Sequence, residues 1–313
     1  MATALALCLG FFSWAANSTR PRESYAIHLA GGSGQASSVM SDSVMDLYSD
    51  HILLIRLEDF ETIREYQSTD AIYPASLTKI MTGILAIEAL DNFDEKIIIQ
   101  PEWIRTLKEK NASMAGFSPG EAVCVRDLLY GTLLPSGADG ALALAWRISG
   151  SEEAFARLMN EKAQSLGMLH THFSNATGLH EEDHVTTLQD MALLLDYALD
   201  NGVFRRIFTT HQYQTEATNM HEQGIFLEST LFGKMDAAEK ETDGLVDSLG
   251  QLDFGGWILG GKTGYTPEAG LCLASLAQIH NEEYLLLTAG ACGTSASAPY
   301  HILDAVEVYS HVE

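Results

Sequence analysis

In the stretch Ala71-Ile-Tyr-Pro-Ala-Ser-Leu-Thr-Lys-Ile80, Ser76 and Lys79 stand three residues apart. The apolar residues that follow, Ile80, Ile84 and Ile87 with Met81 and Leu85 beside them, repeat at helical spacing and predict a helix running to about Asn92. Pro74 suits its first turn, where a missing N–H costs nothing. Residues three apart share a helix face, so the Ser76 hydroxyl and the Lys79 amine can touch. A serine hydroxyl is a weak nucleophile until a base takes its proton. A lysine desolvated by apolar neighbours loses its charge and can be that base. The free N–H groups of a helix start can stabilise an oxyanion at the same place. Alone the pair says little, because Ser-x-x-Lys arises by chance about once in a chain of this length at average composition.

Two further stretches add weight. Leu133-Leu-Pro-Ser-Gly-Ala-Asp139 places Ser136 in a loop between two helical patterns. Gly260-Gly-Lys-Thr-Gly-Tyr-Thr-Pro-Glu-Ala-Gly270 places Lys262, Thr263 and Gly264 on a predicted strand, where a residue without a side chain lets another backbone approach closely. His180-Glu-Glu-Asp-His184 spells the zinc-peptidase pattern. That pattern works only on a helix, which brings both imidazoles to one face. Gly178 just before it and Val-Thr-Thr just after it predict a loop, so no metal site is expected.

The elements that must hold these residues follow an α+β pattern. His51–Leu57 and Thr62–Tyr66 read as a β-hairpin turning at Glu58-Asp59. Cys124–Leu134, Ala138–Ile148, Glu152–Leu166 and Leu188–Leu199 read as helices. Trp257–Thr263, Leu271–Ile279 and Tyr284–Ala291 read as strands. Residues 235–253, with six carboxylates, read as an exposed loop, and Ile302–Tyr309 as a closing helix. The expectation is an antiparallel sheet of about five strands drawn from both chain ends, packed with helices, plus a mostly helical subdomain over about 93–200.

The 313 residues suffice for a packed catalytic domain, expected over 45–313. The formal charge of −24, from 18 basic and 42 acidic residues, argues against nucleic acid or an anionic membrane surface as partner. Residues 2–16 are nearly all apolar and end in a small-x-small site, Ser13-Trp14-Ala15, which reads as a secretory signal or N-terminal anchor without its positive n-region. Residues 17–44 read as a linker. No Cys-x-x-Cys pair occurs among Cys8, Cys124, Cys272 and Cys292, which argues against a zinc ribbon or a redox motif. Cys272 and Cys292 are expected as a pair of buried thiols nearly opposite each other in the last hairpin.

The three motifs together resemble those of penicillin-binding proteins and serine β-lactamases. The wording of Tyr73-Pro-Ala-Ser-Leu-Thr-Lys-Ile-Met-Thr82, Asn175-Ala-Thr-Gly-Leu-His180 and Gly261-Lys-Thr-Gly-Tyr-Thr-Pro-Glu-Ala-Gly270 is closest to low-molecular-weight D-alanyl-D-alanine carboxypeptidases. The resemblance covers about residues 45–310. It implies the serine β-lactamase/DD-peptidase fold, with no metal or organic cofactor. It implies that Ser76 attacks the carbonyl between two D-alanines of a peptidoglycan stem peptide, with Lys79 as base. Ser136 and Lys262 would pass a proton to the leaving amine, and Thr263 would hold the terminal carboxylate. The N–H groups of Ser76 and Tyr265 would form the oxyanion hole, with Gly264 between them and the substrate strand. β-Lactams would acylate Ser76. The site would lie outside the cytoplasmic membrane, in the bacterial cell envelope, with membrane association only through the N-terminal segment.

Two positions depart from the family pattern. The second motif usually ends in Asn, and here the residue is Ala138; Asp139, one helical step on, is turned about 100° away. An arginine often follows the last strand, yet none follows Cys292, and His301 stands near the expected place, so substrate-carboxylate binding is expected to rest on Thr263, Lys262 and His301. Rival readings are a β-lactamase, for which no Glu-x-x-Leu-Asn follows the second motif, and a non-catalytic penicillin- or muropeptide-binding module, which Ala138 favours. A transpeptidase is expected to bring an extra domain.

Overall fold

The computed structural model describes residues 47–312. The predicted signal segment and linker lie outside the described residues. The chain begins with a hairpin, β1 (His51–Arg56) and β2 (Glu61–Tyr66). A 3₁₀ turn, Ala75–Leu77, runs directly into α1 (Thr78–Ala89). A mainly helical run follows: β3 (Lys96–Ile98), α2 (Pro101–Glu109), β4 (Ala122–Cys124), α3 (Val125–Leu133), α4 (Ala138–Ser149), α5 (Glu152–Ser165), α6 (Leu188–Leu199) and α7 (Gly202–Phe208). Then come β5 (Gln212–Gln214), β6 (Phe226–Glu228), a 3₁₀ turn Phe232–Lys234 and α8 (Met235–Glu241). The chain closes with β7 (Gln251–Leu252), β8 (Gly256–Thr266), β9 (Gly270–Ile279), β10 (Glu282–Ala291) and α9 (Tyr300–Ser310).

Both chain ends meet in one antiparallel sheet of order β2-β1-β10-β9-β8-β7, as the element pattern predicts. β1 lies against β10, with Leu54 opposite Leu286. The sheet is apolar on both faces. Leu53, Ile55, Leu285 and Leu287 pack into the helical core with α1 and α6, while Ile52, Leu54, Leu286 and Leu273 pack against α8 and α9. Burial on both sides explains why β1 and β10 read as continuous apolar runs rather than as alternating ones.

Three local expectations are corrected. Residues 235–253 are not a plain loop: Met235 and Ala238 pin α8 to the second core, and Leu252 adds a sixth strand. Charge on one face hid an amphipathic turn whose buried residues are only two. Cys292 is exposed whereas Cys272 is buried, and both are free thiols, because Cys292 falls just past the end of β10. Two short helices, α2 and α7, were not predicted, although Trp103, Ile104 and Leu107 give α2 one apolar face.

Candidate active site

The nucleophile turn is built under strain. Ala75 takes φ +47°, a left-handed conformation that costs a non-glycine residue about 1–2 kcal/mol. Its carbonyl accepts from Thr78 Oγ1 at 2.7 Å. Thr78 Oγ1 is in turn 2.7 Å from His184 Nε2, and His184 Nδ1 accepts from the Ser174 backbone N–H at 3.0 Å. The backbone donor fixes the imidazole as the Nε2–H tautomer, so it donates to Thr78. Burial pushes the His184 pKa down to about 4, which keeps the ring neutral. Gly178, at φ +77°, lies so close that a Cβ there would stand 1.9 Å from the Ala75 oxygen. The His180–His184 stretch is thus an irregular loop that braces the turn from behind.

Lys79 is 2% exposed. Its ammonium donates to Ser76 Oγ at 2.9 Å and to the Thr177 carbonyl at 2.5 Å. Desolvation pulls its pKa down to about 7, against an upward pull from Asp139 and Glu152. The amine is therefore poised to exchange a proton with Ser76 near neutral pH. Asn175 Oδ1 accepts from the N–H of Thr177 and of Gly178, at 3.1 and 2.8 Å, which holds the acceptor carbonyl in place. This Asn175 role was not read from the sequence, although the motif containing it was.

The second pair mirrors the first. Ser136, at φ +64°, sits in the tight bend between α3 and α4. The fully buried Lys262 of β8 donates to Ser136 Oγ at 2.8 Å and to the Thr263 carbonyl at 2.6 Å. Burial first, and then repulsion from Lys79, pushes the Lys262 pKa well below its ordinary value. Asp139 points away from the site. Its carboxylate accepts the N–H groups of Ala115, Gly116 and Phe117 at 2.8 to 3.1 Å and so anchors the loop that forms one rim. Ala138 is buried beside Leu107 and Leu142 and brings no amide of its own to the cavity it lines.

All of this opens on one cavity of about 740 Å³, lined among others by Ser76, Lys79, Ser136, Ala138, Thr263, Gly264, Tyr265 and His301. Lys262 lies just behind the wall and reaches the cavity through Ser136. β8 pairs with β7 only at Gly256 and Trp257, so the Lys262–Thr266 stretch presents its outer edge to the cavity. An extended peptide can add to such an edge as a further strand. A Cβ at Gly264 would stand 3.2 Å from the Ser76 nitrogen and the Pro74 oxygen, so the strand and the nucleophile turn are nearly in contact. Thr230, Lys234, Ser295 and Lys110 also line the cavity, and none of them lies in a recognisable motif. Thr263 Oγ1 donates to Thr230 Oγ1 at 2.7 Å. A larger cleft of about 870 Å³ between Trp103 and Trp146 holds none of the motif residues.

A serine backed by a buried lysine at a helix start, facing a second buried lysine on β8 of an antiparallel sheet, is the arrangement of an active-serine peptidase. The chain belongs to the D-alanyl-D-alanine carboxypeptidase family, whose model (Peptidase_S11) matches residues 38–292. It is 34% identical over 246 residues to a D-alanyl-D-alanine carboxypeptidase of Bacillus subtilis (strain 168), covering 76% of this chain and 56% of the relative. It is 30% identical over 245 residues to one of Streptomyces sp. (strain K15), covering 75% and 77%. The chain thus spans little more than half the length of the Bacillus relative. The crystal structure of the Streptomyces K15 DD-transpeptidase matches with a TM-score of 0.71 at 26% identity, over 85% of this chain and 98% of that one. Since a chain named a transpeptidase is covered almost entirely, the expectation of an extra domain for such enzymes does not hold.

Proposed function

We propose that this chain is a serine D-Ala-D-Ala carboxypeptidase that removes the terminal D-alanine from peptidoglycan stem pentapeptides. The observation that carries the reading is the double pair, Lys79 with Ser76 and Lys262 with Ser136, opening on one cavity beside a free strand edge. In this reading the neutral Lys79 amine takes the Ser76 proton, and Ser76 Oγ attacks the carbonyl between the two D-alanines. The N–H groups of Ser76 and Tyr265 receive the oxyanion. Ser136, backed by Lys262, passes its proton to the departing D-alanine amine and takes in exchange the one Lys79 accepted, which returns Lys79 to its neutral form. Water, activated by Lys79 once it is neutral again, then hydrolyses the acyl-enzyme. Thr263, with Gly264 and Tyr265 on the strand edge, holds the substrate, and His301 faces its carboxylate. Lysine-activated serine chemistry calls for no cofactor. The substrate places the enzyme outside the cytoplasmic membrane, in the cell envelope. Among the described residues no helix is long and apolar enough to cross a membrane.

Intact-mass spectrometry after incubation with benzylpenicillin, then D-alanine release from an acyl-D-Ala-D-Ala peptide, tests this with Ser76→Ala in parallel. The expected result is a Ser76 adduct in wild type only, with D-alanine release. An adduct without release points to a binding module, and rapid penicillin hydrolysis to a β-lactamase. The K15 neighbour favours one second reading, a transpeptidase, which would be seen as transfer of the acyl group to an added amino-acid acceptor.

A further inference from the structure

A terminal carboxylate carries a full charge, and drawing it into a cavity requires a cation and additional donors. Among the described residues no arginine lines the cavity, so the candidates for that cation are lysines. Three lysines line the cavity: Lys79, Lys110 and Lys234. Lys79 is committed to Ser76 and the Thr177 carbonyl. Lys110 caps α2, on the rim that Asp139 anchors. Lys234 ends the second 3₁₀ turn, on the β8 side, four residues after the Thr230 that bonds to Thr263. Among the described residues, its hydrogen bond is to the Ser295 carbonyl at 2.9 Å. An ammonium has three donors, so two remain for a ligand.

His301 supplies the second observation. It is 1% exposed in the first turn of α9, it lines the same cavity, and its Nδ1 has no partner. An unpaired buried nitrogen is costly unless something arrives to satisfy it. Burial, with Lys234 nearby, pushes the His301 pKa down to about 3, so the ring meets a carboxylate as a neutral donor and not as a cation.

We propose that Lys234 is the cation that reads the C-terminal carboxylate of the substrate, delivered from the segment before β7, with His301 as a neutral donor and Thr263 beside the same group, its O–H turning from Thr230 to the carboxylate on binding. The proposal rests on the carboxypeptidase reading for the identity of the substrate. Lysine is a point charge and cannot grip both oxygens in one fork as arginine does. The imidazole and the hydroxyl supply the directions it lacks. The consequence is a preference for peptides with a free C-terminal carboxylate, set by a residue in no recognised motif.

The test compares acyl-D-Ala-D-Ala with its C-terminal carboxamide in wild type, Lys234→Gln, Lys234→Arg and Lys110→Gln. Wild type is expected to prefer the carboxylate. Lys234→Gln should lower kcat/KM for the carboxylate peptide by about 10- to 100-fold, mainly through KM, with little change for the carboxamide. Lys234→Arg should restore much of the loss, and Lys110→Gln should keep the wild-type preference. An unchanged carboxylate-to-carboxamide ratio in Lys234→Gln overturns the proposal, as does its loss in Lys110→Gln. If wild type proves not to turn over either peptide, the carboxypeptidase reading fails separately. The same ratio is then read from competition of the two peptides against a fluorescent penicillin at Ser76.

Discussion

The two walls of the cavity are made differently. The chemical wall joins the Ser76 turn and the Ser136 bend. Its lysines are buried, two of its backbone residues sit in left-handed conformations, and its polar atoms are held by other protein atoms. The recognition wall joins the strand edge, Thr230, Lys234 and His301. Its lysine is half-buried, and the Nδ1 of its histidine is unpaired. A group that must change its protonation state needs a fixed, dry setting before substrate arrives. A group that must bind an anion does better with donors left open, since those bonds form only with the ligand.

The sharpest way to break this contrast is at Lys79. Replacing it with arginine, which stays charged at any working pH, should lower acylation by about a thousandfold or more, with no compensating gain in binding. In wild type, kcat/KM should rise with pH through about 7, where Lys79 loses its proton, and level off above that. Stopped-flow acylation by a chromogenic β-lactam across pH 5 to 9 measures this, and a rate flat through neutrality would remove Lys79 as the base.

A second test weighs the two buried histidines, one behind each wall. His184 has its pKa lowered to about 4 in the fold, against an ordinary value of 6.5. Above pH 6.5 it is neutral both folded and unfolded, so it does not affect stability there. As pH falls from 6.5 to 4 the unfolded chain takes up a proton that the fold refuses, and about 3 kcal/mol of stability is lost. Below 4 this contribution is flat. His301, lowered to about 3, behaves the same way over a slightly wider window. Urea unfolding at pH 7 and pH 4.5 should show the loss, and His184→Gln or His301→Gln should each reduce the slope without abolishing it. His184→Gln should also slow acylation by every acyl donor, because that ring braces the nucleophile turn, whereas His301→Gln should slow it only for donors that carry the carboxylate.

The contrast also explains what the sequence could disclose. Ser76, Lys79, Ser136 and Lys262, which the fold brings together in two pairs, stood out in the sequence because they sit in short motifs at fixed spacings. β1, β9, β10 and α6 were legible because each buries a long apolar run with clear ends. Thr230 and Lys234 did not stand out, since they reach the cavity only when a turn after β6 is brought to the edge of β8 by tertiary packing. α8 and β7 were hidden for a similar reason: one or two buried residues among many charges leave no period to read. His301 stood out by its place in the chain, but its burial and neutrality belong to the fold.

The smallest expected effect lies within the recognition wall, at the hydroxyl pair Thr263 and Thr230. If Thr230 only orients Thr263, then Thr230→Val should raise KM by about three- to tenfold, the value of one ordinary hydrogen bond, and leave acylation by a carboxylate-free ester unchanged. Thr263→Val should cost more, because it removes the group that meets the carboxylate as well as its bond to Thr230. In the double variant the Thr230 change should then add almost nothing, giving a coupling energy close to the cost of Thr230→Val alone. Additive effects would mean that both hydroxyls touch the substrate independently. The carboxylate would then be held by four groups rather than three, and Lys234 would account for a smaller share of the preference.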